Sequence, residues 1–361
     1  MVRKQKDTLY FVRWRECCMF VSGDIMPVTL QKSLAIPVQA LAWLGGHGTR
    51  AIAVLVFIGV VVPPIGHAFE PFVTEAIFLL LCISFMRVDI STLRDHLRRP
   101  GIVLAATAWT TFAVPFIFGV SCLVTSLDKH SPDLFLGLML QAVASPMMAA
   151  PALATLMGLD STLILITLVT STALVPLAAP LFAYAFFGAA LTLSPLTLGL
   201  KLFAILAGSL FLAAAIRWIV GASTIKRHKE EIDGLNILLM LVFVTAVMGT
   251  VAGSFLADPL KVIGLALFAF VVFFALLGLT TMIFRRIGNE HALALGLMVS
   301  QRNMGLMLAA TDGVLPGLTW LYFALCQFPI YMSPQLLKPL VRTKVEAGCT
   351  GTDGEVRGPA E

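Results

Sequence analysis

About ten stretches of roughly 20 mostly apolar residues recur along this chain, and each has the length a helix needs to cross the hydrocarbon core of a bilayer. Nothing else in the sequence restricts the fold so tightly. They run over 51–66, 71–87, 101–123, 133–158, 162–187, 197–219, 235–256, 262–284, 291–311 and 314–332, the first being short and ending at Pro63-Pro64. Hydrophobic residues make up 58% of the 361 positions and charged residues 12%, against about half and a quarter in soluble domains. In lipid every backbone polar group must find its partner inside the segment, so these stretches are read as helices and the fold class as an all-α membrane protein.

Lysine and arginine sort the loops onto two sides. The N-terminal segment, the loop with Arg87, Arg94, Arg98 and Arg99, the loop with Arg217, Lys226, Arg227 and Lys229, the pair Arg285-Arg286 and the C-terminal segment together hold 21 of the 25 basic residues. The opposite loops carry Lys129 and Lys261. The positive-inside rule therefore places both termini in the cytoplasm, requires an even number of spans, and suggests the cell membrane. The net charge of +5 is accounted for by these loops and does not indicate nucleic acid. Residues 1–50 read as a cytoplasmic or interfacial extension, and residues 335–361 as a disordered cytoplasmic tail. Six scattered cysteines show no metal-type spacing and no disulfide framework.

Ten spans divide into 51–187 and 188–334, five each, and an odd number per half means that a duplicated second half enters the membrane from the opposite side. Position supports this inverted repeat: the fourth span of each half is interrupted by helix-breaking or polar residues, and the fifth ends in paired prolines. In the fourth span the interruption is Ser145-Pro146-Met147-Met148-Ala149-Ala150-Pro151, whose prolines lack N–H donors. In the ninth it is Ser300-Gln301-Arg302-Asn303 followed by Gly305. A broken helix is tolerated at membrane depth only where its freed backbone groups face protein or a water-filled cavity. Arg302 sits at the centre of its span, where a guanidinium costs roughly 3 kcal/mol on insertion scales, so it is expected to face an internal site.

With these residues located, the chain resembles the bile acid:sodium symporter family over about residues 51–335. The landmarks are Phe85-Met86-Arg87-Val88-Asp89 with the loop Leu93 to Pro100, and then Ala113-Val114-Pro115. Ala144-Ser145-Pro146 leading to Ala154-Thr155-Leu156, Thr170-Ser171-Thr172 before Pro176, and Gln301 to Leu306 follow in order. The resemblance implies ten helices in a panel and a core domain, with crossing broken helices four and nine forming the substrate and ion site. It leads to the expectation of a secondary transporter, symporter-like, for a small organic anion, working by alternating access.

The chain departs from that family where sodium coupling is built. A Gly-Gly pair and a Ser-Asn pair of the sodium-coupled members are Met147-Met148 and Pro151-Ala152 here, and their ninth-helix glutamate and glutamine are Met298 and Arg302. Hydroxyl ligands of the fifth helix become Ile164 and Leu168. Sodium is a hard cation that needs several oxygen ligands. Sodium coupling is therefore doubtful, and no cofactor is expected. A sodium-dependent symporter of bile-acid-like anions with a rearranged ion site stays open, as does a receptor or scaffold that has lost transport.

Three roles are open for Arg302: a built-in countercharge that binds the carboxylate, sulfonate or phosphate of a substrate through its planar fork; a clamp on carbonyls freed by the breaks; or a partner of Asp160, Glu75 or Glu290. Candidate pathway residues around it are Gln301, Asn303, Ser300, Ser145, Pro146 and Met147, with Thr110 in the third span and Thr167, Thr170 and Ser171 on one face of the fifth. The ordinary fate of such intramembrane hydroxyls is a bond to the preceding turn, and of the amides an interhelical bond. No HExxH, no paired aspartate cluster and no GxxxxGK occurs, so neither an enzyme nor a nucleotide-driven pump is expected.

Overall fold

A computed structural model of the chain describes residues 68–87, 100–187 and 193–349, together with Gln39 and Gly66. The extension over 1–50 (but for Gln39), the first span at 51–66 (but for Gly66), the basic loop over 88–99 and the last residues from 350 onwards lie outside the described residues. Those described are helical, with one isolated β-bridge and no named strand.

The helices are α1 (Val73–Arg87), α2 (Pro100–Val124), α3 (Pro132–Val143), α4 (Ala150–Leu156), α5 (Ser161–Phe187), α6 (Pro195–Val220), α7 (Lys229–Ala257), α8 (Pro259–Phe284), α9 (Asn289–Ser300), α10 (Met304–Ala310) and α11 (Gly317–Cys349). Five of them, α2, α5, α6, α7 and α8 with the turn that extends it to Ile287, are long and apolar enough to cross a membrane. Their outward faces carry Phe116, Leu177, Phe211, Trp218, Leu260 and Val271, all exposed. An exposed apolar surface of this extent is what lipid covers, and the chain is a membrane-embedded protein.

Helix starts follow local chemistry. Asp160 accepts from the N–H groups of Thr162 and Leu163 at 3.0 Å to cap α5, Ser194 caps α6 through Thr197, and Asp258 caps α8 through Lys261. Prolines at the first turn open α3, α6 and α8, where a missing N–H costs nothing. The prolines of the fifth span do not end it: Pro176 and Pro180 lie inside α5, which runs on through a π-turn at Ala183–Phe187. Gly199 of α6 makes room there, since a Cβ on it would stand 2.9 Å from the Pro176 carbonyl.

The fourth and ninth spans are both interrupted, and with matching dimensions. Each has 12 helical residues before the break (α3, α9) and 7 after it (α4, α10). Each second piece ends in the same kind of turn: Leu159 N–H bonds the Ala154 carbonyl past Gly158 at φ 73°, and Gly313 N–H bonds the Leu308 carbonyl past Asp312 at φ 55°. Only Pro146 lies in the unwound stretch of the fourth span; Pro151 instead sits in the first turn of α4.

At the C-terminal end the structure departs from the sequence reading. The sequence predicts a tenth span that stops at 332 with a disordered tail from 335, whereas α11 continues through Pro334 to Cys349. Leu337 is buried, so the segment after the proline still has an apolar contact to make, and no glycine interrupts it before Gly348.

Candidate functional site

The two breaks meet. Pro146 and Arg302 face each other as an isolated antiparallel bridge, with Met147 N–H donating to the Gln301 carbonyl at 2.8 Å and Asn303 N–H to the Ser145 carbonyl at 2.7 Å. Each unwound strand thus supplies one donor and one acceptor to the other. That reciprocity answers the problem of exposed backbone groups at membrane depth without water. Proline fits the centre because the facing position asks no donor of it.

Arg302 has the largest side chain among those fully buried, at 2% exposure. Its guanidinium donates to the Ala144 carbonyl at 2.9 Å and to the Thr110 carbonyl at 3.3 Å. Both acceptors are orphans of helix geometry. Ala144 closes α3, beyond which no helical N–H follows. Thr110 lies in the π-turn Trp109–Ala113 of α2, where Val114 N–H reaches back to the Trp109 carbonyl; the next donor in that register belongs to Pro115, which has none. One cation therefore ties α2, α3 and the ninth-span break together. Of the three roles open from sequence, the clamp on freed carbonyls describes these contacts. Pairing with Asp160 is not seen: that carboxylate caps α5 and lies 3.3 Å from His291.

The remaining candidates are sorted by the same geometry. Gln301 donates from Nε2 to the Ser333 hydroxyl on α11 at 2.8 Å, and Asn303 accepts from Leu306 N–H to cap α10, so Gln301, Arg302 and Asn303 point to different elements. Ser300, Thr170 and Ser171 donate back to carbonyls of their own helices, the ordinary fate. The hydroxyls of Thr110, Thr111, Ser145, Thr167 and Thr172, with Gln301 Oε1 and Arg302 Nε, are buried without a hydrogen-bond partner.

Beside the crossing lies a cavity with ≈ 90 Å³ of space for the centres of water-sized molecules. Of the expected residues, Met147, Arg302 and Asn303 border it, and Ser300, Gln301, Ser145, Pro146, Thr110, Thr167, Thr170 and Ser171 do not. Ser84 of α1, Asn236 of α7, and Gln327 and Tyr331 of α11 supply polar groups that the sequence reading missed. A polar residue inside an apolar span was the available signal for Asn236 and Gln327. Among the described residues of the lining, Arg302 is the one cation, and no carboxylate accompanies it. Met298, Ile164 and Leu168 are sealed in the apolar core at 0% exposure. No family model matches the chain, and no curated protein matches its sequence.

Proposed function

We propose that this protein is a secondary carrier of small organic anions, with ten spans arranged as two inverted five-helix repeats and working by alternating access in the cell membrane, both termini cytoplasmic. The observation that carries this reading is the crossing itself: two broken helices of equal dimensions, paired through reciprocal backbone bonds, beside a cavity lined by a buried arginine and, among the described residues, by no carboxylate. Inverted repeats with discontinuous helices at the midplane are a recurring architecture of secondary transporters. The same crossing is what the resemblance to the bile acid:sodium symporter family implies.

The size of the cavity bears on the substrate. Pockets for drug-sized ligands run to about 300–1,000 Å³, and ≈ 90 Å³ suits a keto acid, a small hydroxy acid or a small sulfonate better than a steroid. Arg302, which borders the cavity, contributes positive potential, while Asn236, Asn303, Gln327, Tyr331 and Ser84 offer neutral hydrogen bonds. Apolar side chains at 164, 168 and 298 give a cation no oxygen, so coupling to sodium is not part of the proposal.

Thermal stabilisation by a panel of small organic anions, each in sodium and in potassium buffer, followed by flux into liposomes, tests it. Stabilisation and substrate-dependent flux that ignore the cation support the proposal. Sodium-dependent stabilisation replaces it with a symporter having a rearranged ion site, and binding without flux replaces it with a receptor.

A further inference from the structure

The charge of Arg302 is met by dipoles and by no opposite charge. Its partners are the Ala144 and Thr110 carbonyls at 2.9 and 3.3 Å, and among the described residues no carboxylate reaches it. The acids of the spans are placed elsewhere: Asp160 lies 3.3 Å from His291, Asp233 pairs with Arg87 at 2.7 Å, Asp312 pairs with Lys201, and Glu75 and Glu290 are exposed. The sequence of the first span, 51–66, contains no ionisable residue. A guanidinium stays protonated at any accessible pH, so this positive charge is permanent. The polar groups that share the cavity with it, from Ser84, Asn236, Asn303, Gln327 and Tyr331, are neutral.

Ser84 lies about one turn from Arg87, and Asn236 about two turns from Lys229, at the helix ends that the lysine and arginine bias assigns to the cytoplasm. Under that topology the cavity is on the cytoplasmic side of the crossing, and alternating access requires it to close and to reopen on the other side. Closing it empty strips water from an uncompensated guanidinium. The cost of such a charge at mid-depth on insertion scales corresponds to roughly a hundredfold in rate. Closing it over an anion encloses a neutral pair. The match is one to one: a dianion leaves an excess negative charge, and the ammonium of a zwitterion finds no carboxylate in the described lining.

We propose, resting on the carrier reading, that this protein exchanges one singly charged organic anion for another and does not readily return empty. The crossing reorients with an anion bound and roughly a hundredfold more slowly without one. Outward movement of one anion is thereby coupled to inward movement of another with no cotransported ion, and one-for-one exchange moves no net charge across the membrane. Arg302 holds the crossing together through its carbonyl contacts, and its charge decides when the crossing moves.

The test uses the full-length protein in sealed liposomes, with labelled pyruvate, lactate or ethanesulfonate outside and either the same unlabelled anion or sulfate inside. Initial uptake is expected to be about a hundredfold faster against the same anion than against sulfate, and to ignore an imposed potassium diffusion potential. Malonate, a dianion, and alanine, a zwitterion, are of similar size and should not compete. Asn236→Asp is nearly isosteric at a half-buried position and puts a carboxylate into the lining, which neutralises the empty cavity. Stimulation by internal anion should then fall about tenfold or more. Equal uptake against anion and sulfate, effective competition by malonate or alanine, or parent-like stimulation in Asn236→Asp overturns exchange and leaves the carrier reading standing. Absence of flux for all three anions under both loadings overturns the carrier reading, and exchange with it.

Discussion

If Arg302 clamps carbonyls orphaned by helix geometry, its energetic worth depends on a residue it does not touch, Pro115. Replacing Arg302 by Met strips the Ala144 and Thr110 carbonyls of donors at 2.9 and 3.3 Å. Each buried acceptor left unsatisfied costs about 1–3 kcal/mol, so the loss is roughly 2–6 kcal/mol. Removing a charge from mid-bilayer returns about 3 kcal/mol. The opposing terms leave the sign of the single substitution undecided, and a double-mutant cycle separates them. Pro115→Ala restores an N–H in the π register that ends at Val114, giving the Thr110 carbonyl a backbone partner. In that background Arg302→Met orphans Ala144 alone, and its cost should fall by about 1–3 kcal/mol. Reversible unfolding in mixed micelles of the parent, both single variants and the double variant measures the coupling. Thr110→Val is the control: it removes an unpartnered hydroxyl but keeps the carbonyl, so the coupling should persist. Single costs that add to within about 0.5 kcal/mol would refute the clamp on Thr110.

Three other outcomes follow from the packing. Gly296→Ala places a Cβ against the Thr281 hydroxyl and 2.8 Å from the Leu277 carbonyl, so it should destabilise by about 1–3 kcal/mol as α8 and α9 are pushed apart; an unchanged unfolding midpoint contradicts that close approach. Tyr322 donates to Gln141 at 2.6 Å between α11 and α3, and Tyr322→Phe should cost about 1–3 kcal/mol, much of which Gln141→Leu recovers in the same background. Lys201 is paired with Asp312, but the two side chains are 31% and 60% exposed. Lys201→Ala should therefore change the midpoint by less than the equivalent of about 1 kcal/mol, and a larger loss means the pair is shielded in the membrane.

What the sequence revealed about the crossing was its location and not its wiring. Pro146 and the Gln301-Arg302-Asn303 run announced two interruptions because their chemistry is local: a missing N–H, and a charge where hydrocarbon is expected. That the two breaks pair depends on α3 and α9 being brought together, which no residue within either span encodes. Pro151 illustrates the limit of a local rule. As a breaker it looks equivalent to Pro146, yet a proline in the first turn of α4 begins a helix as readily as another ends one. Thr110 was singled out for its hydroxyl, whereas its carbonyl makes the contact; the signal was present in Pro115, five residues on, but it required knowing that α2 shifts into a π register. Polar residues of α7 and α11 were missed because Asn236 and Gln327 sit in apolar runs that gave no reason to expect them on a common wall with Asn303.

The clamp has a consequence for how the proposed carrier moves. Two backbone bonds join the breaks, and Arg302 extends the join to α2 and α3, so these elements are held by contacts that mutually satisfy buried groups. Separating them would leave several donors and acceptors unpaired in a medium without water, at about 1–3 kcal/mol each. Motion that alternately exposes the cavity is cheaper between this block and helices that meet it through side chains alone. The cavity is bounded on its far side by α1 through Ile77, Leu81 and Ser84 and by α7 through Asn236, Met240 and Phe243. That wall is largely apolar, and among the described residues sliding it breaks no backbone pair. Under the carrier reading, the crossing thus moves as one body while α1 and α7 slide against it, and because the charge of Arg302 is covalent, the join does not have to await an ion from either side of the membrane.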